Sequence, residues 1–417
     1  MHDSSKREAQ FILIAMLVGA VIGLGLNATG HASWGEHIKP IGTIFIRLLK
    51  MVIVPLVFSS IYMAMINLGT PESLGSMGRK AVSYYFITTA IAVFFGLVFV
   101  NLIQPGVGAD LGGAGLANLS GHMAEQVQSN KGLYQTVLGV LIEAIPVNPF
   151  NALANTKVLQ IIVFSIMFGI VALYKKEKSS SFTNVMKSIE EMSLKLTHVI
   201  MKLAPIGIFA LMIDVLSKSG FDAVISLSKY MLTVTLGLGF HAIFLMFIGS
   251  SYLKKSPIHI LKALSAPLMT AFSTSSSAAT LPITMTTVEE ELGVDKDTAK
   301  FVLPLGATVN MDGTALYESV AAIFIAQAYN IHLTLGQQII IFMTASLAAV
   351  GAAAIPGAGL ITMSIVLGAV GLPLEGIGLI LAVDRILDMF RTTVNVFGDC
   401  VGTIVVDTKI KKERANS

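Results

Sequence analysis

Asp384, Arg385, Asp388, Arg391 and Asp399 all lie in one apolar stretch, "LAVDRILDMFRTTVNVFGD" (381–399). Wound at 100° per residue, Asp384, Asp388, Arg391, Asn395 and Asp399 fall at about 0°, 40°, 340°, 20° and 60°. That is one narrow stripe, with Thr392 at its edge and Arg385 beside it. Two chemistries suit it. Asp388 and Arg391, at i,i+3, can close a self-neutralising structural ion-pair ladder. Alternatively the stripe can hold a charged solute. A guanidinium is a planar fork that matches a carboxylate, and an aspartate accepts from an amino group.

A second polar constellation precedes it. "GATVNMDGTALYESV" (306–320) contains Asn310, Asp312, Thr314 and Glu318. Asn-Met-Asp-Gly-Thr is a poor continuous helix, because Asn, Asp and Gly favour local turns. An unwound stretch there frees carbonyl oxygens, which are good ligands for a hard cation; the plain alternative is a kink. Across both segments five carboxyls face two guanidiniums, an excess of negative charge that needs cations or protons when buried. The pattern fits an acidic solute held by Arg391, an amino group near an aspartate, and monovalent cations balancing the rest.

These residues need elements to position them. The chain has 417 residues, 54% hydrophobic and 13% charged, with mean hydropathy +0.77. Soluble domains carry about 25% charged residues, so an all-α polytopic membrane protein is the class expected. The net charge of +3 is small and implies no nucleic-acid partner. The single cysteine, Cys400, rules out an internal disulfide framework. The eight histidines show no H-x-x-x-H spacing, so no metal cofactor is expected.

Residues 11–26, after Lys6 and Arg7, read as a first transmembrane helix rather than a cleaved signal, for no convincing A-x-A site follows. Further apolar segments lie near 41–67, 81–103, 135–173, 190–216, 224–253, 296–329 and 374–406. The 135–173 segment is interrupted by "IPVNPFNALANTK". Residues 105–133 read as a long extramembrane loop. Lys6/Arg7, Arg79/Lys80, Lys175/Lys176/Lys178, Lys254/Lys255 and "KIKKER" fall at alternate ends of the spans. The positive-inside rule then gives eight full spans with both termini cytoplasmic.

Two segments are left over. Residues 258–290 are broken at "STSSSAATLP" (273–282), and residues 335–370 at "AAVGAAAIPGAG" (348–359). Irregular backbone cannot face lipid, so such tips lie in protein or line a wet cavity. Small residues also serve helix packing. Two matched runs favour a transporter repeat, in which broken segments mark the binding site, and both segments are read as re-entrant hairpins.

"SSSAATLP", "NMDGTALYE", "AIPGAG" and "LDMFRTTVNVFGD", in that order, resemble the dicarboxylate/amino acid:cation symporter family over nearly the whole chain. The resemblance implies a homotrimer in the cell membrane and an inverted-repeat elevator transporter: eight transmembrane helices plus two re-entrant hairpins. Residues 1–77 (spans 1–2) and 105–220 (spans 4–5, with the extracellular loop) would form a scaffold. Residues 78–104 (span 3) and 221–410 (span 6, hairpin 1, span 7, hairpin 2, span 8) would form the moving transport domain, with 411–417 a cytoplasmic tail.

It also implies roles. Arg391 would bind the substrate's side-chain carboxylate and Asp388 its amino group, with Asn395, Thr392 and Thr314 completing the contacts. The hairpin tips would contribute around Ser275, Ser277, Ile355 and Gly359. One sodium site would use Asp399 with the carbonyls of Gly306, Asn310 and Asn395. A second would use Tyr85, Thr88, Thr89, Asn310 and Asp312, since "YYFITT" (84–89) matches the third-span motif. A third would use the Thr308 carbonyl with second-hairpin carbonyls near Ala349, Val350 and Ala352. Glu318 matches a glutamate of the proton-coupled animal members, where archaeal members have glutamine, and is the candidate proton carrier.

The chain departs from the family at two positions. Archaeal members place an arginine where Ser275 stands, and animal members one where Met389 stands; Arg385 is the candidate replacement. The expected function is sodium-coupled symport of glutamate or aspartate, with sodium as cargo and no cofactor. The alternative is a proton-coupled C4-dicarboxylate/glutamate permease. A cation channel is a further rival. An intramembrane aspartyl protease using Asp312 and Asp399 fits poorly, because "VFGD" is not G-x-G-D and the serine run lacks a nearby base.

Overall fold

The computed structural model describes residues 2–68, 71–109, 138, 142, 144–350 and 358–416, and every regular element among them is a helix. Helices α1 (His2–Ala28), α2 (Ser33–Leu68) and α3 (Pro71–Ile103) come first. Gly75, at φ 57°, kinks the start of α3 in a conformation that only glycine takes freely. The interruption expected in 135–173 is present. Asn148 caps α4 (Pro149–Ala154), accepting from the Phe150 and Asn151 amides. The chain then turns at Thr156, φ 52°, before α5 (Val158–Tyr174). Most of the expected 105–133 loop, from residue 110 onward, lies outside the described residues.

The expected single span 190–216 is corrected. α6 (Lys176–Met201) ends inside it, and α7 (Ala204–Leu253) starts after two intervening residues, with Pro205 in its first turn. Proline has no amide hydrogen to donate to the preceding turn, so the break falls there. α7 kinks again at Gly220 (φ 58°, ψ −144°). A Cβ at that position would stand 2.7 Å from the Asn27 side-chain oxygen.

Hairpin 1 follows α8 (Pro257–Ala263). α9 (Ser265–Thr274) and α10 (Ser277–Glu290) meet at Ser275, which is left-handed at φ 51°, and Ser276 caps α10 by accepting from the Ala279 amide at 3.2 Å. α11 (Lys296–Val309) and α12 (Asp312–Ala328) form the broken span. The unwinding is narrower than expected. Only Asn310 and Met311 leave helical geometry, and Asp312, Gly313 and Thr314 already lie in the first turn of α12. α13 (Leu335–Val350) and α14 (Ala358–Ala369) form the arms of the second broken segment, whose tip at 351–357 is outside the described residues. The last helix, α15 (Ile377–Asn416), has 40 residues and is about 60 Å long at 1.5 Å per residue.

Among the described residues, three helical stretches are long and apolar enough to cross a membrane: Ser33–Asn67, Gly75–Ile103 and Ala204–Leu253. Ile14–Ala28, Leu159–Tyr174 and Leu335–Ala349 are shorter apolar helices. The outside of the fold is greasy. Phe11, Ile14, Leu17 and Val21 on α1 and Leu102 on α3 are exposed, while Asn310, Asp312, Glu318, Arg391 and Asp399 are buried. That inversion is what hydrocarbon as a solvent selects.

Two packed groups emerge. α2 packs against α5, α6 and the first part of the chain's long α7, which also holds α1. α12 packs on α3 and α15, and α15 receives α9, α11 and α7. The far end of α15 is tied down by polar contacts. Glu413 accepts from Lys80 and Ser76, and the Lys80 bond holds its carboxyl below the usual range. Asp407 accepts from Lys411 at 2.7 Å and from the Asp295 amide at 3.2 Å.

Candidate functional site

The stripe on α15 points into the protein, against the break between α11 and α12. Arg391 is fully buried and held by two carboxylates of its own helix. Its Nε donates to Asp388 Oδ1 at 2.9 Å, and its Nη1 to Asp384 Oδ1 at 3.0 Å. The guanidinium carbon lies 4.4 Å above the Tyr317 ring, and the Tyr317 hydroxyl donates to Asp384 Oδ1 at 2.7 Å. Thr392 donates to Asp388 Oδ1 at 3.3 Å. The ion-pair ladder foreseen for Asp388 and Arg391 is therefore present, and it extends to Asp384. The ladder does not use the whole fork: Nη2 of Arg391 has no partner among the described residues. Gly359 leaves space there, since a Cβ on it would stand 2.4 Å from Nη1 and 2.8 Å from Nη2.

Asn395, one turn further on, joins the two helices. Its side-chain oxygen accepts from the Gly313 amide at 2.7 Å, and its Nδ2 donates to Thr314 Oγ1 at 3.2 Å and contacts Met311 Sδ at 3.4 Å. The amide of Gly313 is an orphan donor of the first turn of α12, so Asn395 satisfies a helix start that has no capping side chain of its own. Gly313 is required for this approach: a Cβ there would meet the Arg391 carbonyl oxygen at 2.4 Å.

Below this lies an oxygen-rich cluster. Asp312 Oδ1 accepts from Thr89 at 2.7 Å and Thr88 at 3.4 Å, and its Oδ2 lies 2.9 Å from His241 Nε2. Asn310 links Asp399 to Thr88, which also bonds Asp312. Its Oδ1 is 3.5 Å from the Thr88 hydroxyl, and its Nδ2 donates to Asp399 Oδ1 at 3.0 Å. The Tyr85 hydroxyl donates to the Val302 carbonyl at 2.9 Å. It also sits, with Asp399 Oδ1, 2.6 Å from where a Cβ on Gly306 would be. The two expected cation sites are thus adjacent and share Asn310. Carboxylate, amide and hydroxyl oxygens in this number suit a hard cation.

The third expected cation site, built on backbone carbonyls, lies only partly within the described residues. Thr308 is exposed and donates to the Leu305 carbonyl at 3.0 Å. Its helix touches α13, which carries buried Ala349. The side chain of Val350, and Ala352 and Ile355 altogether, lie outside the described residues. At hairpin 1, Ser275 and Ser277 are both buried at the helix junction. Arg385 stands 3.9 Å from Asp388 Oδ2, beside the site. Glu318 is fully buried, and neither of its carboxylate oxygens has a hydrogen-bond partner among the described residues.

Residue-by-residue reading of the sequence missed Tyr317 and His241. Tyr317 had a signal, one turn after Thr314 in the polar segment. His241 had only its type, a lone histidine in the middle of an apolar helix.

A site of buried carboxylates, one fully enclosed arginine and broken helices, inside a shell with a greasy exterior, defines a membrane carrier. The chain belongs to the sodium:dicarboxylate symporter family, whose profile matches residues 9–409. It is 34% identical to the proton/glutamate-aspartate symporter of Escherichia coli, over 95% of this chain and 91% of that one. It is 35% identical to the proton/sodium-glutamate symport protein of Geobacillus stearothermophilus, over 95% and 92%. It is 37% identical to excitatory amino acid transporter 3 of Oryctolagus cuniculus, over 96% and 85%. The protein is a membrane transporter and not an enzyme.

Proposed function

We propose that this protein imports acidic amino acids, glutamate or aspartate, by symport with sodium. The observation that carries the reading is Arg391: a fully buried guanidinium with one arm unused among the described residues, beside Asp388 and next to two oxygen clusters built on Asp312 and Asp399. Arg391 takes the side-chain carboxylate of the substrate, and Asp388 takes its amino group. Asn395, Thr392, Thr314 and the hairpin tips enclose it. Sodium occupies the oxygen clusters as cargo, and Glu318 carries a proton. Arg385 supplies the cationic charge that relatives place at the Ser275 or Met389 positions.

On this reading the protein is a homotrimer in the cell membrane with both termini cytoplasmic. The group of α3, the later part of α7 and α8 to α15 moves against a scaffold of α1, α2, α4, α5, α6 and the earlier part of α7. The names of the relatives support both cation couplings: the Escherichia coli protein is named for protons, and the Geobacillus stearothermophilus protein for protons and sodium. A purely proton-coupled permease for C4-dicarboxylates and glutamate is the second reading. Uptake of labelled aspartate, glutamate and succinate into liposomes, with sodium and pH varied separately, separates them. Concentrative aspartate or glutamate uptake that needs a sodium gradient supports symport with sodium. Uptake driven by a pH gradient alone, with succinate accepted equally, overturns it.

A further inference from the structure

α6 carries three faces, and two of them point away from the protein. Met186, Ser193, Thr197 and Ile200 form the buried one. Wound at about 100° per residue, Val185, Met192, Leu196 and Val199 fall within about 60° of one another, with Phe182 at their border. These five apolar side chains are between 37% and 63% exposed. Lys187, Glu191, Lys195, His198 and Lys202 are exposed as well, and they fill a separate sector of about 80°. Charged side chains are costly in hydrocarbon, so the polar sector belongs to water or to a second copy of the chain. The apolar sector is the one that acyl chains can cover.

The stripe starts at a cationic corner. α5 ends at Tyr174, and Lys175, Lys176 and Lys178 follow with Glu177 among them. Tyr174 and Lys175 are exposed. By helical spacing, position 178 falls in the same sector as Leu196. With both termini cytoplasmic, this corner faces the cytoplasm, and an exposed tyrosine beside lysines is what the boundary of a membrane selects. The wall behind the stripe is aromatic. Phe182 meets Phe168 edge-on at 5.2 Å, and Phe168 stacks on Phe164 at 5.3 Å. Tyr62 on α2 lies edge-on to Phe182 at 5.5 Å, and its hydroxyl is 2.9 Å from that of Thr183. These ring contacts fix α2, α5 and α6 against one another at the corner. From Phe182 to Met192 the helix rises about 15 Å at 1.5 Å per residue, half of a hydrocarbon core of roughly 30 Å, or one leaflet.

Lysines at the cytoplasmic end of an apolar strip one leaflet deep match a lipid with an anionic head. We propose that the corner between α5 and α6 binds an anionic phospholipid of the cytoplasmic leaflet. Its headgroup pairs with Lys175 and the lysines that follow, and an acyl chain lies along Phe182, Val185 and Met192. A zwitterionic lipid covers the stripe equally well, but its own cationic group offsets its phosphate at the lysines.

The chain has one tryptophan, Trp34, so Trp34→Phe with Val185→Trp gives a single reporter on the stripe. Met192→Trp in the same background is a second. Each full-length variant is placed in phosphatidylcholine vesicles that contain a fixed fraction of brominated lipid, either phosphatidylglycerol or phosphatidylcholine. Bromine quenches the tryptophan it touches. Quenching at both positions is expected to show about threefold or greater preference for phosphatidylglycerol. The preference is expected to disappear when Lys175→Gln, Lys176→Gln and Lys178→Gln are combined, and to shrink in high salt, which screens charge. Leu102→Trp, at an exposed position on α3, is the control and is expected to show none. Equal quenching by the two lipids on the stripe overturns the inference, because the stripe is then ordinary lipid-facing surface. Quenching by neither also overturns it, because a second copy of the chain then covers the stripe. So does a preference that survives the loss of all three lysines.

Discussion

His241 Nε2 stands 2.9 Å from Asp312 Oδ2, and neither side chain has any exposure. The pair joins α7 to the first turn of α12. Thr89 holds the other carboxylate oxygen from α3, so Asp312 is fixed by three helices at once. A hydrogen bond to a charged group contributes about 1.5–3 kcal/mol. His241→Ala should therefore raise the sodium concentration needed for half-maximal substrate binding about tenfold or more, with substrate preference unchanged. A sodium titration of labelled aspartate binding checks this. A superimposable curve would show that His241 only packs.

Arg391→Cys should abolish aspartate uptake and admit neutral amino acids. It removes the group facing the substrate's carboxylate and leaves Asp384 and Asp388 without their shared cation. Breaking a buried pair costs about 3–5 kcal/mol, some hundredfold or more in affinity. Competition of labelled aspartate by unlabelled aspartate and by serine measures it. Unchanged aspartate affinity rules the assignment out.

Asp399→Asn should weaken apparent sodium affinity. Asp399 receives the Asn310 amide at 3.0 Å, so the substitution also disturbs the residue shared with the Asp312 cluster. Linkage is reciprocal: substrate affinity at fixed sodium should fall, and recover as sodium is raised. Wild-type substrate binding that ignores sodium would remove both sodium sites.

Gly313→Ala should be among the most damaging small changes in the chain. The added carbon would meet the Arg391 carbonyl oxygen at 2.4 Å and its Cα at 2.9 Å. Those are backbone atoms and cannot rotate away, so α12 and α15 must separate. Overpacking of this kind costs about 1–3 kcal/mol, and the 2.7 Å bond from the Gly313 amide to Asn395 is lost with it. A lowered melting temperature in detergent, with aspartate giving less thermal protection than in wild type, is the expected result. Full protection would mean that the contact yields without moving Asn395.

Glu318→Gln should keep substrate binding and remove proton movement. The carboxyl is fully buried, and the amide keeps its shape without an acid proton to carry. A lumenal pH dye records it: wild-type uptake should acidify the vesicle interior, and the variant should not. A variant that still acidifies the lumen would make Glu318 structural.

The periodicity of residues 384–399 alone showed that Asp384, Asp388, Arg391, Asn395 and Asp399 share a face. Helical spacing is local, and a charge in hydrocarbon must turn inward whatever surrounds it. The same local chemistry marked the break at Asn310 and the small-residue junction at Ser275, because turn propensity needs no partner. The break at Lys202–Leu203 was less legible, since one proline in an apolar run can kink, end or merely interrupt a span. The pairings belonged to the tertiary structure. Nothing in the order of residues says that Asp384 shares its oxygen between Arg391 and a tyrosine 67 positions away. Nor does it say that Asp312 meets a histidine 71 positions earlier. Those contacts arise only when three or four helices pack side by side, because each buried polar atom must then find its partner on a neighbour instead of in water.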